Sequence, residues 1–114
     1  MNKAATEKVI EIYNTNGKEP INRWLDSLKD ITARVKVLRR IDRLVQGNYG
    51  DHRYLSGGLF ELKVDYGKGY RIYCGEKGNK VVVLLWGGDK SNQRQDIEIA
   101  KEYYENYLRR STNE

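Results

Sequence analysis

The apolar residues of this chain change period at Leu59, and that change narrows the folds open to it. Before it, Ile21, Trp24, Leu25 and Leu28, then Ile31, Val35, Leu38, Ile41, Leu44 and Val45, recur at helical spacing. After it, Phe60, Leu62, Val64 and Tyr66 alternate with Leu59, Glu61, Lys63 and Asp65, as strand residues do. Pro20 suits the first turn of a helix, and Gly47 suits the end of a second one running from about Ile31 to Gln46. Glu7 to Tyr13 alternates and reads as a short first strand, followed by a loop with Asn16-Gly17 turn chemistry. Tyr70 to Cys74 and Val81 to Trp86 read as further strands. A last helix from about Asn92 to Arg109 turns Ile97, Ala100, Tyr104 and Leu108, with Tyr107, inward. The expected order is β-α-α-β-β-β-α. This is an α+β fold with a small, mainly antiparallel sheet, an N-terminal helical hairpin and a C-terminal helix.

The loop Gly67-Lys68-Gly69 sets the register of the central hairpin. A three-residue loop pairs Tyr66 with Tyr70, Asp65 with Arg71 and Lys63 with Tyr73. A loop one residue shorter would turn Lys63 toward Ile72 and bury its charge among apolar groups, which is costly. The favoured pairing makes one polar face of Glu61, Lys63, Asp65, Arg71 and Tyr73, and leaves the other face for the core. Two readings of that face stand side by side. It can grip a nucleic-acid backbone and stack a base on Tyr73, or it can be a solvated face whose charges pair across strands.

Charge adds a second clue. Twenty-one Lys and Arg against sixteen Asp and Glu give a net +5 and a pI near 9.3, in the range of proteins with polyanionic partners. Arg34, Lys36, Arg39, Arg40 and Arg43 lie on one helix, and Lys36, Arg40 and Arg43 share a stripe. The stripe can track phosphates by counterion release or be an ordinary solvated helix face. Lys90 precedes the last helix beside Gly87-Gly88, where an anion can approach, and Asp89 or Ser91 can cap that helix. The segment is not a P-loop, which argues against nucleotide binding of that kind.

Other chemistries are restricted. One cysteine, Cys74, rules out an internal disulfide, and its place on the apolar side of a strand marks it as core. One histidine, His52, cannot form a histidine metal cluster or a two-histidine acid–base pair, and it reads as a surface loop residue. No metal or cofactor is expected. The start lacks an apolar run of signal-peptide length, and no segment approaches a membrane span. The expectation is one domain over residues 1–114, soluble and cytoplasmic, without a membrane partner.

The segments RWLDSLKD, RVKVLRRIDRLVQGNYGD, ELKVDYGKGYRIY and LLWGGDKSNQRQDI, in this order and with the final helix, resemble the RelE/ParE superfamily of bacterial toxins. The likeness is greatest to the addiction module killer proteins, related to phage Gp49-like and HigB-type toxins, and it spans roughly residues 7 to 108. It implies a RelE-like fold. It also implies a type II toxin–antitoxin toxin, neutralised by a cognate antitoxin, a small helix-turn-helix protein through which alone operator DNA is met. Many such toxins are metal-independent endoribonucleases that cut messenger RNA, often on the ribosome. In them the 2′-hydroxyl attacks the adjacent phosphate. The resemblance makes Arg71 of GYR the group that stabilises developing phosphorane charge, Lys63 a phosphate ligand or base, and Lys90 of GGDKS a further cation. Tyr73 would orient or stack a base, with Lys36, Arg40, Arg43, Glu61 and Lys68 as further RNA-binding positions. Similar HigB-type chains often carry His-Gly-Phe where this one has Trp86-Gly87-Gly88, which removes a possible acid. The ParE branch of the same fold poisons DNA gyrase without cleaving RNA. A toxin reduced to binding only its antitoxin is the remaining alternative.

Overall fold

A computed structural model describes residues 7–112. The elements are β1 (Val9–Ile12), α1 (Pro20–Ser27), α2 (Ile31–Val45), β2 (His52–Ser56), β3 (Leu59–Val64), β4 (Tyr70–Lys77), β5 (Val81–Asp89) and α3 (Gln93–Thr112). A short 3-10 turn, Lys90–Asn92, joins the last two. The strands form one sheet in the order β1-β5-β4-β3-β2, in which only the β1–β5 pair is parallel. The α+β class and the helical hairpin stand as expected.

Local chemistry accounts for most of these boundaries. Pro20 opens α1, where its missing N–H costs nothing. Leu28 turns extended, and the Asp30 carboxylate then caps α2 by accepting the Ala33 N–H at 3.2 Å. Strand β2 was not expected. It lies at the edge of the sheet, with His52, Arg53, Tyr54 and Ser56 all exposed, so it lacks the apolar alternation that marks a half-buried strand.

The central hairpin differs from the expected register by two residues. Lys63 pairs with Arg71, Val64 with Tyr70 and Glu61 with Tyr73, and the connection runs from Asp65 to Gly69. Two turns fill it, with Tyr66 N–H bonded to the Val64 carbonyl and Gly69 N–H to the Tyr66 carbonyl. Gly67 and Gly69 take the positive φ values of 54° and 77° that these turns need. Because the shift is even, every side chain keeps its face. Asp65 drops into the loop, however, and Arg71 faces a lysine instead of a carboxylate.

The polar face is also not open as expected, because helices cover both sides of the sheet. Phe60, Leu62, Ile72, Cys74, Val82 and Leu84 meet Ile21, Leu25, Val37 and Leu44 of α1 and α2. Leu59, Tyr73, Val83 and Leu85 meet Ala100, Tyr103 and Tyr104 of α3 on the opposite side. Glycine notches permit this second layer. A Cβ on Gly75 would fall 2.3 Å from the Tyr104 ring, and one on Gly88 would fall 2.1 Å from Asp96. Each enclosed aliphatic side chain contributes roughly 1.5–3 kcal/mol of burial.

Helix α2 turns a different side inward from the one its aliphatic spacing suggests. Ala33, Val37, Arg40 and Leu44 are buried, while Ile31, Val35, Leu38 and Val45 are exposed. Leu108 of α3, expected inside, is 37% exposed.

Candidate functional site

The site is built at the end of the sheet nearest the β3–β4 loop. Lys63 and Arg71 stand directly opposite each other on the α3 side, and Gly88 lies across from Arg71 on β5. The chain then turns at Lys90, whose N–H bonds the Gly69 carbonyl at 2.9 Å and so ties this turn to the hairpin loop. A Cβ on Gly69 would lie 3.3 Å from Cδ of Lys90 and 3.7 Å from a terminal nitrogen of Arg71. The lysine stem and the guanidinium therefore pass over the same glycine. Lys63 and Arg71 thus share a face of the sheet, and the Lys90 stem comes close to Arg71 over Gly69. Among the described residues neither lysine has an ion pair.

Two cations facing each other across a strand pair are unfavourable by themselves. Glu61 offsets part of that cost. Its side chain is fully buried, 3.9 Å from Nε of Arg71. It accepts Nε of Arg53 and Nε2 of Gln93 at 3.1 Å each, and a second Arg53 nitrogen lies 3.1 Å away. Glu61 is therefore a buried counter-ion to the arginines, and the structure does not leave it free to meet RNA. Arg71, with a side chain 14% exposed, is held between this carboxylate and the surface, and its Nε has no hydrogen-bond partner. Arg53 and Gln93 escaped the sequence reading. Arg53 lies on the unrecognised edge strand, and Gln93 gains its place only from where α3 starts.

Tyr73 does not have the expected role. Its ring is fully enclosed under α3 and cannot stack a base, and its buried hydroxyl has no hydrogen-bond partner. Burial, with Glu61 and Asp96 nearby, raises its pKa well above the ordinary phenol range. Asp96 covers Gly88 and accepts the Trp86 indole N–H at 2.9 Å. Burial raises its carboxyl pKa. Asp89 caps the 3-10 turn by accepting from Ser91, and that bond lowers its pKa.

The basic face of α2 divides in two. Lys36, Arg39, Arg40, Arg43, Lys63, Val64 and Asp65 line a cleft of about 220 Å³. Arg40 is only 7% exposed and donates to the carbonyls of Tyr49 and Asp51, at 3.0 and 2.5 Å. Burial lowers its pKa, and the neighbouring Arg43 adds to the effect. Arg40 is therefore a brace for the loop after α2, not a nucleic-acid contact. Lys36 and Arg43 remain exposed, Lys36 with its ammonium 5.3 Å from the centre of the Tyr66 ring. Lys68 is exposed at the hairpin tip. A separate cleft of about 430 Å³ is lined by Trp24, Trp86 and Tyr103 with Lys18 and Arg23. Its half-buried rings offer the accessible aromatic surface that Tyr73 does not. Cys74 is fully buried as expected, with its thiol pKa raised by burial. His52 is exposed, its Nδ1 2.8 Å from the Gly50 carbonyl.

Residues 23–105, which hold nearly all of this architecture, match the family described as phage derived protein Gp49-like (DUF891). The chain belongs to that family. Gp49-like proteins are associated with toxin–antitoxin modules. This Gp49-like protein is also 47% identical over 78 residues to an uncharacterized protein of Haemophilus influenzae, covering 68% of this chain and 79% of that one. The span of the family match includes Lys63, Arg71 and Lys90, the buried Glu61 beside Arg71, and Gln93, which bonds Glu61. Among the described residues, no helix of the Gp49-like protein is long and apolar enough to cross a membrane.

Proposed function

We propose that this protein is a RelE/ParE-type toxin of a type II toxin–antitoxin module and acts in the cytoplasm as a metal-independent endoribonuclease on messenger RNA. The observation that carries the reading is the pairing of Lys63 with Arg71, beside Lys90, with neither lysine in an ion pair among the described residues. A scissile phosphate lying over Gly69 would meet all three cations. In the reaction the 2′-oxygen bonds to phosphorus while the bond to the 5′-oxygen breaks. The 2′-hydroxyl gives up its proton and the departing 5′-oxygen gains one. The products are a 2′,3′-cyclic phosphate and a 5′-hydroxyl. Arg71 and Lys90 stabilise the charge that grows on the phosphoryl oxygens, and Lys63 binds the same phosphate or, when neutral, takes the 2′-proton.

The cleft of Lys36, Arg39 and Arg43 extends the positive surface from Lys63 along α2, which suits a strand of RNA running away from the cut. A cognate antitoxin, a small helix-turn-helix protein, would hold the toxin silent and carry it to operator DNA.

Pure protein added to translating ribosomes is expected to yield discrete mRNA cuts with cyclic-phosphate ends. A 2′-O-methyl group at the cut nucleotide is expected to block them. Intact mRNA, or cutting that persists past the methyl group, contradicts the proposal. Gyrase-dependent DNA breaks with intact RNA would select a ParE-like poison in its place.

A further inference from the structure

Four of the exposed large apolar side chains among the described residues lie in one outward row on α2. Ile31 is 76% exposed, Val35 40%, Leu38 43% and Val45 38%. With Asp42 between Leu38 and Val45, they follow the alternating four-and-three spacing by which one helix lies along another. Single exposed aliphatics need no explanation, but an aligned row of them on one helix marks a contact surface. Arg34 and Arg39 border the row on either side, with Lys36 and Arg43 behind Arg39, and Asp42 is the sole carboxylate within α2.

We propose that this row receives an acidic amphipathic helix from a separate protein. Its apolar stripe covers Ile31, Val35, Leu38 and Val45, its carboxylates meet the bordering arginines, and one basic residue faces Asp42 and fixes the register. The charges favour this occupant over the alternatives. A second copy of α2 would set the bordering arginines of one helix against those of the other. A lipid surface would draw Asp42, in the middle of the row, into the acyl boundary. The inference does not rest on RNA cleavage, since Ile31, Val35, Leu38 and Val45 face away from the sheet that carries Lys63 and Arg71.

The test uses the full chain and a synthetic helical peptide of about three heptads, with Leu on its apolar stripe, Glu on both borders and one Lys set to face Asp42. Calorimetric titration is expected to show micromolar binding, weakened at least about tenfold when the border Glu residues become Lys. Leu38→Lys and Val35→Lys are expected to weaken it by at least about tenfold with an unchanged circular dichroism spectrum, since both positions are exposed. Equal affinity for the two peptides, no binding of the acidic one, or indifference to Leu38→Lys overturns the proposal. A dimer of the free chain that Leu38→Lys dissolves, or co-sedimentation with phosphatidylserine vesicles, overturns it in favour of self-association or a membrane.

Discussion

Replacing Arg71 with alanine is expected to slow mRNA cleavage about 10²–10³-fold, as when one preorganised donor to a transition-state oxyanion is lost. The protein is expected to stay folded. Glu61 keeps Arg53 and Gln93 as partners, so its buried carboxylate is not stranded when the more distant guanidinium goes. Arg71 is thus connected to the fold by one long ion pair, while one of its terminal nitrogens passes over Gly69 beside the Lys90 stem. That is the arrangement of a group kept for a ligand. Arg71→Lys is expected to fall between the two, because an ammonium retains the charge and loses the planar fork. Cleavage rates beside melting curves decide the matter: a normal rate in Arg71→Ala, or a collapse of Tm that accounts for the loss, removes Arg71 from the chemistry.

Arg40→Ala is expected to have the opposite profile, with a large cost in stability. The guanidinium bonds two backbone carbonyls in a buried setting, and hydrogen bonds to charged groups are worth about 1.5–3 kcal/mol each. Losing both leaves the loop that leads into β2 without its brace. In a domain of this size the expected fall in Tm exceeds roughly 10 °C. Arg40→Lys is not expected to restore it, since one ammonium cannot reproduce the fork that spans both carbonyls. Arg43→Ala, at an exposed position of the same helix, is expected to leave Tm within about 2 °C. It is expected to weaken RNA binding and to reduce the salt slope of that binding by about 1. A stable Arg40→Ala protein with weakened RNA binding would return Arg40 to the nucleic-acid face.

These two arginines also show how far the sequence could be read. Arg71 and Lys63 fell on one face because strand parity survives an even shift in register, so the pairing could be wrong by two residues while the grouping held. The shift itself turned on whether Asp65 and Tyr66 belong to strand or loop, which alternation alone does not decide. Arg40 was misplaced for a different reason. Both sides of α2 carry aliphatics, and spacing favours the bulkier set of Ile31, Val35 and Leu38 as the core. The sheet instead takes the smaller Ala33 and Val37 with Leu44, beside an arginine whose polar end finds carbonyls. Tyr73 looked available because nothing local reveals that α3 will lie over it, and that packing depends on Gly75, which is distant in sequence from the Tyr104 it faces, as well as on Gly88. Lys90 was legible as a cation before a helix, but its approach to Arg71 required the Lys90–Gly69 backbone bond, a contact between distant segments.

Titration with a short 2′-O-methyl RNA, followed by NMR of the lysine and arginine side chains, shows whether a phosphodiester lies over Gly69 among Lys63, Arg71 and Lys90. Lys63, Arg71 and Lys90 signals are expected to shift together and first, with Lys36 and Arg43 following as the strand lengthens. Shifts confined to α2, or to the cleft of Trp24, Trp86 and Tyr103, with these three side chains unmoved, would contradict the account.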